Sequence, residues 1–160
     1  MSRKKPWNRV NLPVYSISSE ANGKGNMNII TYATAVSMVP KRFICAVYRD
    51  TRTLSNVLTN PHFVLQLMSD DQHSLVKLLG KQTGKKTDKL ARLQKKEALM
   101  QWNGFAVLKD ALALMEMKVL SHFEGGDHIC FLCEVTAYKN CRDGNVLTLD
   151  TLREKKIIVA

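Results

Sequence analysis

The hydrophobic positions cluster in short runs that are rich in β-branched and aromatic residues, a composition typical of β-strands. Asn28 to Val39 is the first such run, and Phe43 to Tyr48, after Pro40-Lys41, predicts a buried partner strand in a hairpin. Further strands are predicted at Phe63 to Met68, Phe105 to Leu108, Ala111 to Leu120, His128 to Asn140 and Val146 to Leu149. A turn at Asp143-Gly144 would join the last two strands as a hairpin.

Helical segments are few and short. One helix is predicted up to Thr59, where Asn60-Pro61 stops it, and a second runs from the caps at 69–71 to Gly80. A third begins at the potential cap Thr87-Asp88. Residues 1–25 lack periodicity and are predicted to form an irregular N-terminal arm, whereas the apolar tail 157–160 is predicted to pair with a sheet edge or a partner subunit.

The order of these elements restricts the fold class. Because the strands do not alternate regularly with helices, a doubly wound α/β fold is not expected. A closed antiparallel barrel fits better, since closure leaves no exposed strand edge. The 160 residues match one domain that buries enough surface to fold alone. We therefore predict a mainly β fold with short inserted helices, in a single domain spanning residues 1–160.

The formal net charge of +10 suits an anionic partner but does not identify it. Much of this charge lies between Lys77 and Lys96, and we interpret most of it as a solvated helical face, since a phosphate site needs only a few cations. That segment contains no aromatic residue on which a base could stack. Nucleic acid is therefore not the expected partner, although a basic RNA-binding module stays an alternative.

The cysteines and the termini bear on compartment and metal binding. No apolar segment follows the basic N-terminus and no apolar run could span a bilayer, so we expect a cytoplasmic protein with reduced thiols. Cys130 and Cys133 have the spacing of half a zinc site, but no second pair accompanies them, and in a strand they would point to opposite faces. No metal site is predicted.

Two neighbouring segments carry the candidate chemistry. Thr31 to Pro40 is dense in hydroxyl and small side chains, which let a flat ring approach the backbone and its hydrogen-bonding groups. After the next strand, Arg49, Thr51, Arg52 and Thr53 offer guanidinium and hydroxyl groups that suit a phosphomonoester. A Thr-rich strand followed by a capped helix with solvated arginines is an equally open interpretation of these residues.

Four segments, taken in order, resemble the flavin reductase-like, FMN-binding split-barrel family. They are Asn28 to Pro40, with the pattern T-x-x-T-x-V-S-x-x-P; Thr51 to Asn56; Phe63 to Met68 with the G-x-x-T-G-x-x-x-D-K segment Gly80 to Leu90; and Gly125 to Val135, which contains G-D-H. Lys41 departs from the family, which often has a second proline there, and Ala33 stands where a hydroxyl residue is common. These departures leave the reductant and the substrate open.

The resemblance implies a six-stranded antiparallel Greek-key split barrel that forms a homodimer with FMN near the subunit interface. It also implies which residues bind the cofactor. These are Thr31, Tyr32, Ala33, Thr34 and Ser37 around the ring, Arg49, Thr51, Arg52 and Thr53 at the phosphate, and Thr83, Gly84 and Lys89 closing over the flavin. His128 lies where the family places a residue near the flavin and its reductant, so it is the candidate catalytic residue; the alternative is a histidine hydrogen-bonded to backbone at the start of a strand.

The predicted function follows from the resemblance. We predict an FMN-binding oxidoreductase that acts as a flavin reductase, passing electrons from NADH or NADPH to FMN. The alternative is a non-enzymatic FMN electron carrier of the flavoredoxin type.

Overall fold

The computed structural model describes residues 4–159, and antiparallel strands form most of the regular secondary structure in this part of the chain. The strands are β1 (Tyr15–Ala21), β2 (Lys24–Ile30), β3 (Ala33–Ser37), β4 (Arg42–Tyr48), β5 (His62–Leu67), β6 (Leu99–Trp102), β7 (Phe105–Leu108), β8 (Ala113–Glu124) and β9 (His128–Asn140). The α-helices are α1 (Arg52–Thr59), α2 (Val76–Lys81), α3 (Lys89–Lys95) and α4 (Leu149–Glu154), and 3-10 turns occur at Pro6–Asn8 and Asp70–Leu75. None of the helices described between residues 4 and 159 has the length and apolar character that a membrane span requires.

Seven strands form one antiparallel sheet in the order β2-β1-β5-β8-β9-β4-β3. The edge strands β2 and β3 are consecutive in the chain, and only Thr31-Tyr32 separates them. Because two consecutive strands occupy opposite edges, the sheet must curl back on itself as a split barrel. The Tyr32 carbonyl accepts a 2.8 Å hydrogen bond from the Ala46 N–H of β4, which holds the break against the barrel wall. The predicted mainly β, antiparallel fold is confirmed.

The predicted count of six strands is wrong. Asn28 to Val39 was expected to be one strand, but the chain changes direction at Thr31-Tyr32, so β2 pairs with β1 and β3 pairs with β4. In addition, β6 and β7 form a two-stranded ribbon outside the main sheet. Hydrophobic pattern does not reveal the break, because the residues on both sides of it keep the same strand-forming character.

The irregular arm predicted for residues 1–25 is wrong over β1 and the start of β2. These strands form a hairpin around Asn22-Gly23, whose φ angles are 54° and 75°. That dipeptide is a hairpin signal, but β1 does not show a run of apolar side chains beside it. Ser16 and Ser18 are buried in β1, and Gln66 donates a 2.7 Å hydrogen bond to Ser16 Oγ. Residues 1–3 of the predicted arm lie outside the described residues.

Two predictions near the C-terminus are also wrong. Asp143-Gly144 does not form a hairpin turn, and Val146 makes only an isolated bridge instead of belonging to a strand. Thr148 caps α4, which begins where the predicted strand would end. In the tail, Ile157 packs into the core below α4 and its N–H bonds back to that helix, so it does not pair with a sheet edge. Ala160 lies outside the described residues.

Other predicted elements are confirmed, some with shifted ends. β7 and β9 have the predicted bounds, β4 begins one residue earlier, and β8 is displaced to Ala113–Glu124. α1 ends at Thr59 as predicted, and Asp88 caps α3 by accepting a 3.0 Å hydrogen bond from the Ala91 N–H. Cys130 and Cys133 lie in β9, where Cys133 is fully buried and Cys130 is partly exposed.

Two hydrophobic clusters lie on the two faces of the sheet. The first contains Ile17, Phe43, Phe63, Leu65 and Phe131 inside the barrel. The second packs the outer face of β5 and β8 against the ribbon and the helices, with members that include Val64, Leu79, Leu93, Val107 and Leu114. β5 contributes alternate residues to both clusters and is buried on both faces, as strands with two packed faces are.

Candidate functional site

A cavity of about 290 Å³ opens at the break between β2 and β3, and we call it the ring cavity. The ends of β2 and β4 form its walls, together with residues from α1 and β9. Its lining residues are Ile17, Asn28, Ile29, Ile30, Thr31, Tyr32, Ala46, Val47, Tyr48, Thr53 and His128. No aspartate, glutamate, lysine or arginine is among these lining residues. A cavity with mainly apolar walls and a few polar groups suits a planar organic ligand.

A second cavity, of about 190 Å³, adjoins the first at Asn28 and Tyr48, and we call it the polar cavity. The start of α1, the end of α2 and the loop 82–88 that follows α2 enclose it. Its lining residues are Asn26, Asn28, Tyr48, Asp50, Thr51, Arg52, Gly80, Lys81, Gln82, Thr83, Gly84 and Lys89. The two cavities therefore form one continuous site with an apolar part and a cationic part.

The first turn of α1 reaches the polar cavity in a fixed orientation. Thr51 caps the helix, since its Oγ1 accepts a 3.1 Å hydrogen bond from the Leu54 N–H and donates to the Tyr48 carbonyl at 2.8 Å. No acidic residue lies in this turn. The N–H groups at a helix start attract an anion. The Thr51 hydroxyl is already used in the cap, so the backbone of this turn and the Arg52 side chain are the groups open to a ligand.

Arg52 and Thr53 point to different parts of the site. The Arg52 Nε donates a 3.1 Å hydrogen bond to the Gly84 carbonyl, which places the guanidinium between α1 and the loop 82–88. Thr53 is fully buried, and its hydroxyl accepts a 3.2 Å hydrogen bond from Asn26 Nδ2. Thr53 thus fixes the position of Asn26, while Arg52 provides a cation at the wall of the polar cavity.

Lys89 is the most unusual group of the site. Its side chain is 2% exposed, and Nζ donates a 2.6 Å hydrogen bond to the Leu79 carbonyl. Burial lowers the pKa of this ammonium from 10.5 to about 8, because an apolar environment disfavours its charge. Among the residues that the structure describes, no carboxylate pairs with it. A buried cation without a counter-ion at a cavity wall fits a ligand that brings its own negative charge.

The loop 82–88 covers the polar cavity through two contacts besides the Arg52 hydrogen bond. Lys85 Nζ and the Asp50 carboxylate form a 2.5 Å ion pair, and the neighbouring lysine lowers the pKa of that carboxyl. Gly84 packs so closely on Asn26 that a Cβ at this position would overlap the amide side chain. Glycine is therefore required here for a close approach rather than for a special φ angle.

Three aromatic rings border the mouth of the ring cavity. The His128 ring lies 5.1 Å from the Tyr32 ring and 5.4 Å from the Tyr48 ring, between centroids. Its Nδ1 is 2.7 Å from an Asp127 carboxylate oxygen, a hydrogen bond that fixes the orientation of the imidazole. Tyr32 and Tyr48 are 58% and 49% exposed. We call Tyr32, Tyr48 and His128 the aromatic wall; it offers exposed ring surface beside the cavity.

The structure brings most of the predicted site residues together. Thr31, Tyr32, Thr53 and His128 line the ring cavity, and Thr51, Arg52, Thr83, Gly84 and Lys89 line the polar cavity. Four predicted residues line neither cavity. Ala33, Thr34 and Ser37 lie on the edge strand β3. Arg49 bonds to the Gly126 carbonyl of the β8–β9 loop at 2.7 Å and to Glu124 at the end of β8 at 3.0 Å.

Sequence reasoning missed Asn26, Asn28 and Tyr48. Asn26 and Asn28 belong to β2, but the first was assigned to a turn because the β1–β2 hairpin went unrecognised. Tyr48 is the last residue of β4 and is half-exposed in the structure; the signal available in the sequence was its position at the end of an apolar run, directly before a polar loop. A tyrosine that ends an apolar strand and precedes a polar loop is well placed to line a cavity mouth.

The curled antiparallel sheet, with its broken edge strand and the site at the break, defines a split-barrel protein. Within that class the chain belongs to the flavin reductase like domain family, whose model matches residues 7–154. The resemblance drawn from the sequence motifs is thereby confirmed.

Comparisons with individual proteins agree with this assignment. The chain is 26% identical over 161 residues to a Nostoc sp. (strain PCC 7120) protein named "Putative diflavin flavoprotein A 2", which matches 98% of this chain. The chain spans only about a fifth to a quarter of the length of the curated relatives it matches. The structure is similar to flavin reductase PheA2, with a TM-score of 0.74 at 24% identity over 89% of this chain and 87% of that one. It is also similar to an FMN-binding protein from Thermus thermophilus, with a TM-score of 0.74 at 21% identity over 88% and 78% of the two chains.

Proposed function

We propose that this chain is an FMN-binding oxidoreductase that acts as a flavin reductase, passing electrons from NADH or NADPH to FMN. The observation that carries the proposal is the joined pair of cavities, in which an uncharged part adjoins a part containing a buried, uncompensated lysine. FMN has the same division, with a planar ring at one end and a phosphate at the other. Family membership and similarity to proteins named as flavin reductase and FMN-binding protein support the same conclusion.

The polar cavity would hold the phosphate. Arg52, Lys89 and the first backbone N–H groups of α1 supply positive charge and donors without an acidic residue in that helical turn. Lys89 keeps two N–H donors beyond its bond to the Leu79 carbonyl. Thr53 and Asn26 are buried and hydrogen-bonded to each other, so their role would be to support this cavity and to separate it from the core.

The ring cavity would hold the isoalloxazine, the part of FMN that accepts and releases electrons. Ala46 and the Thr31-Tyr32 break provide small side chains and backbone at the cavity wall, which permit close approach. The aromatic wall remains partly open to solvent, so a nicotinamide ring could reach the flavin there. His128, oriented by Asp127, is the proposed catalytic residue that contacts the flavin or the reductant at this mouth.

A homodimer is the proposed assembly. The edge strand β3 and the turn after it expose Val36, Met38 and Val39, of which the last two are 85% and 92% exposed. An edge strand with exposed apolar residues is a surface that proteins usually cover. A second copy of this chain would cover it next to the ring cavity. The proposed compartment is the cytoplasm, where its free cysteines stay reduced.

A second candidate function is that of an FMN electron carrier without its own NAD(P)H activity. The observation that favours it is the exposure of Tyr32 and Tyr48, which leaves the proposed flavin accessible to a protein partner as well as to a nucleotide. The relative named as a diflavin flavoprotein, of which this chain matches about a quarter, is consistent with transfer between two flavins.

Two measurements test the proposal and separate the candidates. Gel filtration after addition of FMN should yield protein that retains flavin absorption in the visible range, whereas colourless protein would contradict both candidates. The FMN-loaded protein is then mixed in a stopped-flow instrument with NADH and, separately, with NADPH. At least one of the two nucleotides should reduce the flavin and bleach that absorption. Retained flavin that neither nucleotide reduces would contradict the reductase and leave the carrier.

A further inference from the structure

Arg49 connects the end of β4 to the β8–β9 loop, which leads directly into His128. Its backbone N–H donates a 3.0 Å hydrogen bond to the Asp127 carbonyl, and its Nε donates a 2.7 Å hydrogen bond to the Gly126 carbonyl. Its Nη2 forms a 3.0 Å ion pair with Glu124, the last residue of β8. The family resemblance placed Arg49 at the phosphate, but in the structure it lines neither the ring cavity nor the polar cavity, and the proposed function gives it no role.

The β8–β9 loop has few other contacts that fix its conformation. Gly125, Gly126 and Asp127 are all exposed, and Gly126 has a φ angle of 127°. One hydrogen bond closes the loop internally, from the Gly125 N–H to the His128 carbonyl at 2.9 Å. Within residues 4–159, the hydrogen bonds that join this loop to elements outside the β8–β9 hairpin all come from Arg49. Because exposed backbone rich in glycine has wide conformational freedom, the Arg49 contacts are what hold the loop in one place.

The same loop carries the group that orients His128. An Asp127 carboxylate oxygen lies 2.7 Å from His128 Nδ1. An ionised carboxylate can only accept a hydrogen bond, so Nδ1 holds the proton and the neutral ring keeps Nε2 for a ligand. The Asp127 side chain is itself 78% exposed, and His128 is its one ionic partner among the residues that the structure describes. The position of this carboxylate therefore depends on the backbone of the loop, and through the loop on Arg49.

We propose that Arg49 is a positioning residue for His128: it holds the β8–β9 loop against the end of β4 and so keeps the imidazole beside Tyr32 and Tyr48. Tyr48 and His128 are register partners in the β4–β9 ladder, and Arg49 follows Tyr48 directly, so one residue fixes the relative position of both rings. The consequence for catalysis rests on the proposed function, which makes His128 the catalytic residue.

The exposure of these contacts separates positioning from stability. The Arg49 side chain is 42% exposed and that of Glu124 is 79% exposed, and an exposed ion pair adds little to the free energy of folding. A displacement of about 1 Å, in contrast, is enough to slow a reaction strongly when it moves a group at the reacting atoms. Loss of the Arg49 side chain should therefore change the reaction rate much more than the fold.

Reduction kinetics test this role in the FMN-loaded protein. Arg49→Ala should slow reduction of the bound flavin at saturating NADH or NADPH about tenfold, while FMN affinity and melting temperature stay unchanged. Arg9→Ala is the matched control, because Arg9 is an exposed arginine that lines neither cavity, and it should react at the wild-type rate. A wild-type rate in Arg49→Ala, or a loss of rate that is matched by a loss of FMN affinity or of stability, would overturn the proposal.

A double-mutant cycle shows whether Arg49 acts through His128. On the background of His128→Gln, Arg49→Ala should cause no further loss of rate, because the side chain that it positions is already absent. An equal tenfold loss on both backgrounds would mean that Arg49 acts on another group and would overturn the proposal.

NMR spectroscopy of the flavin-free protein separates this proposal from the proposed function, because it needs no activity. In proton–nitrogen correlation spectra of the imidazoles, assigned with His128→Gln, neutral His128 should hold its proton on Nδ1 in the wild type. Arg49→Ala should shift both ring nitrogen signals towards the average of the two tautomers, and Arg9→Ala should leave them in place. Unchanged signals in Arg49→Ala would overturn the proposal. If neither nucleotide reduces the flavin, the reductase function fails, and these spectra alone decide whether Arg49 positions His128.

Discussion

The ring cavity and the polar cavity adjoin each other but are built in different ways. The ring cavity is lined mainly by neighbours on the barrel strands, and its shape follows from the break between β2 and β3. The polar cavity gathers groups that are distant in sequence, from β2, the start of α1 and the segment 80–89, which runs from the end of α2 to the start of α3. The buried residues in its lining are polar, namely Asn26 and Lys89. The barrel strands therefore determine where a planar ring could bind. The loop after α2 and the buried Lys89 determine that the group bound beside the ring should be anionic.

Removal of the Arg52 guanidinium should have the largest effect on ligand affinity. Only the contribution of the polar cavity to binding should change. Arg52→Ala is expected to weaken FMN binding by about 1.5–3 kcal/mol, the usual value of a charged hydrogen bond. Riboflavin, which lacks the phosphate, should bind the variant and the wild type equally. Fluorescence titration with both ligands measures the difference, and Lys95→Ala serves as the control for loss of one surface charge. An equal loss for both ligands would show that the two cavities are not chemically separate.

Filling the close contact between loop and barrel should have the next largest effect. Gly84→Ala places a Cβ against the Asn26 amide, which is 3% exposed and hydrogen-bonded to Thr53, so the loop must move away. Overpacking of this kind costs about 1–3 kcal/mol. We expect FMN affinity to fall while the free energy of unfolding in urea changes less, because the core strands are untouched. A loss of stability with normal FMN affinity would contradict the role given to this loop.

The pH dependence of FMN binding should report on Lys89. Burial lowers its pKa to about 8, so above that pH the free protein increasingly holds the amine neutral. A bound phosphate favours the charged form and raises the pKa again, so binding takes up a proton and FMN affinity should fall as pH rises above about 8. The expected loss is up to about tenfold per pH unit, or about 1.4 kcal/mol.

Two controls accompany the pH titration. Riboflavin affinity should be flat over the same range, and Lys89→Met, which removes the titrating group but keeps much of its volume, should make FMN affinity flat as well. In the free protein the same depressed pKa predicts that the free energy of unfolding rises with pH from about 8 towards 10.5, because the unfolded chain binds the proton more tightly. A wild-type FMN profile that is flat would contradict the placement of the phosphate beside Lys89.

The smallest predicted effect concerns the ring cavity. Tyr48→Ala removes one ring of the aromatic wall and should weaken FMN and riboflavin binding equally, by about 0.5–1.5 kcal/mol, as expected for an aromatic contact. Titration of both ligands measures this, with Tyr138→Ala as the control, since Tyr138 is 73% exposed and lines neither cavity. A loss confined to FMN would place Tyr48 with the phosphate instead of with the ring.

Sequence reasoning succeeded where local chemistry decides the structure. The apolar run of β4, the long strand β9 and the cap Asp88 all follow from residue type and spacing, and the family motifs located both cavity walls. It failed where tertiary contacts decide. The break at Thr31-Tyr32 depends on which neighbours β2 and β3 find, and β1 buries serines whose partners lie far along the chain.

The placement of single site residues shows the same limit. Arg49 and Arg52 look alike in the sequence, yet Arg49 is bound to the β8–β9 loop and only Arg52 reaches the polar cavity. Lys89 belongs to a run of cations whose charge pattern alone favours a mostly solvated face; the family resemblance placed Lys89 at the site, and its side chain is buried there. Residue type indicates that a cation is available, while burial and partners decide what it can bind.

The central claim is that the ring and polar cavities together hold FMN, with the phosphate in the polar cavity. The most direct test is an equilibrium titration of the wild type and of Arg52→Ala/Lys89→Met with FMN and riboflavin under identical conditions. The account predicts that the wild type prefers FMN by roughly a hundredfold, from two charged contacts, and that the double variant binds both ligands equally. Equal affinities in the wild type, or an FMN preference that survives in the double variant, would contradict it.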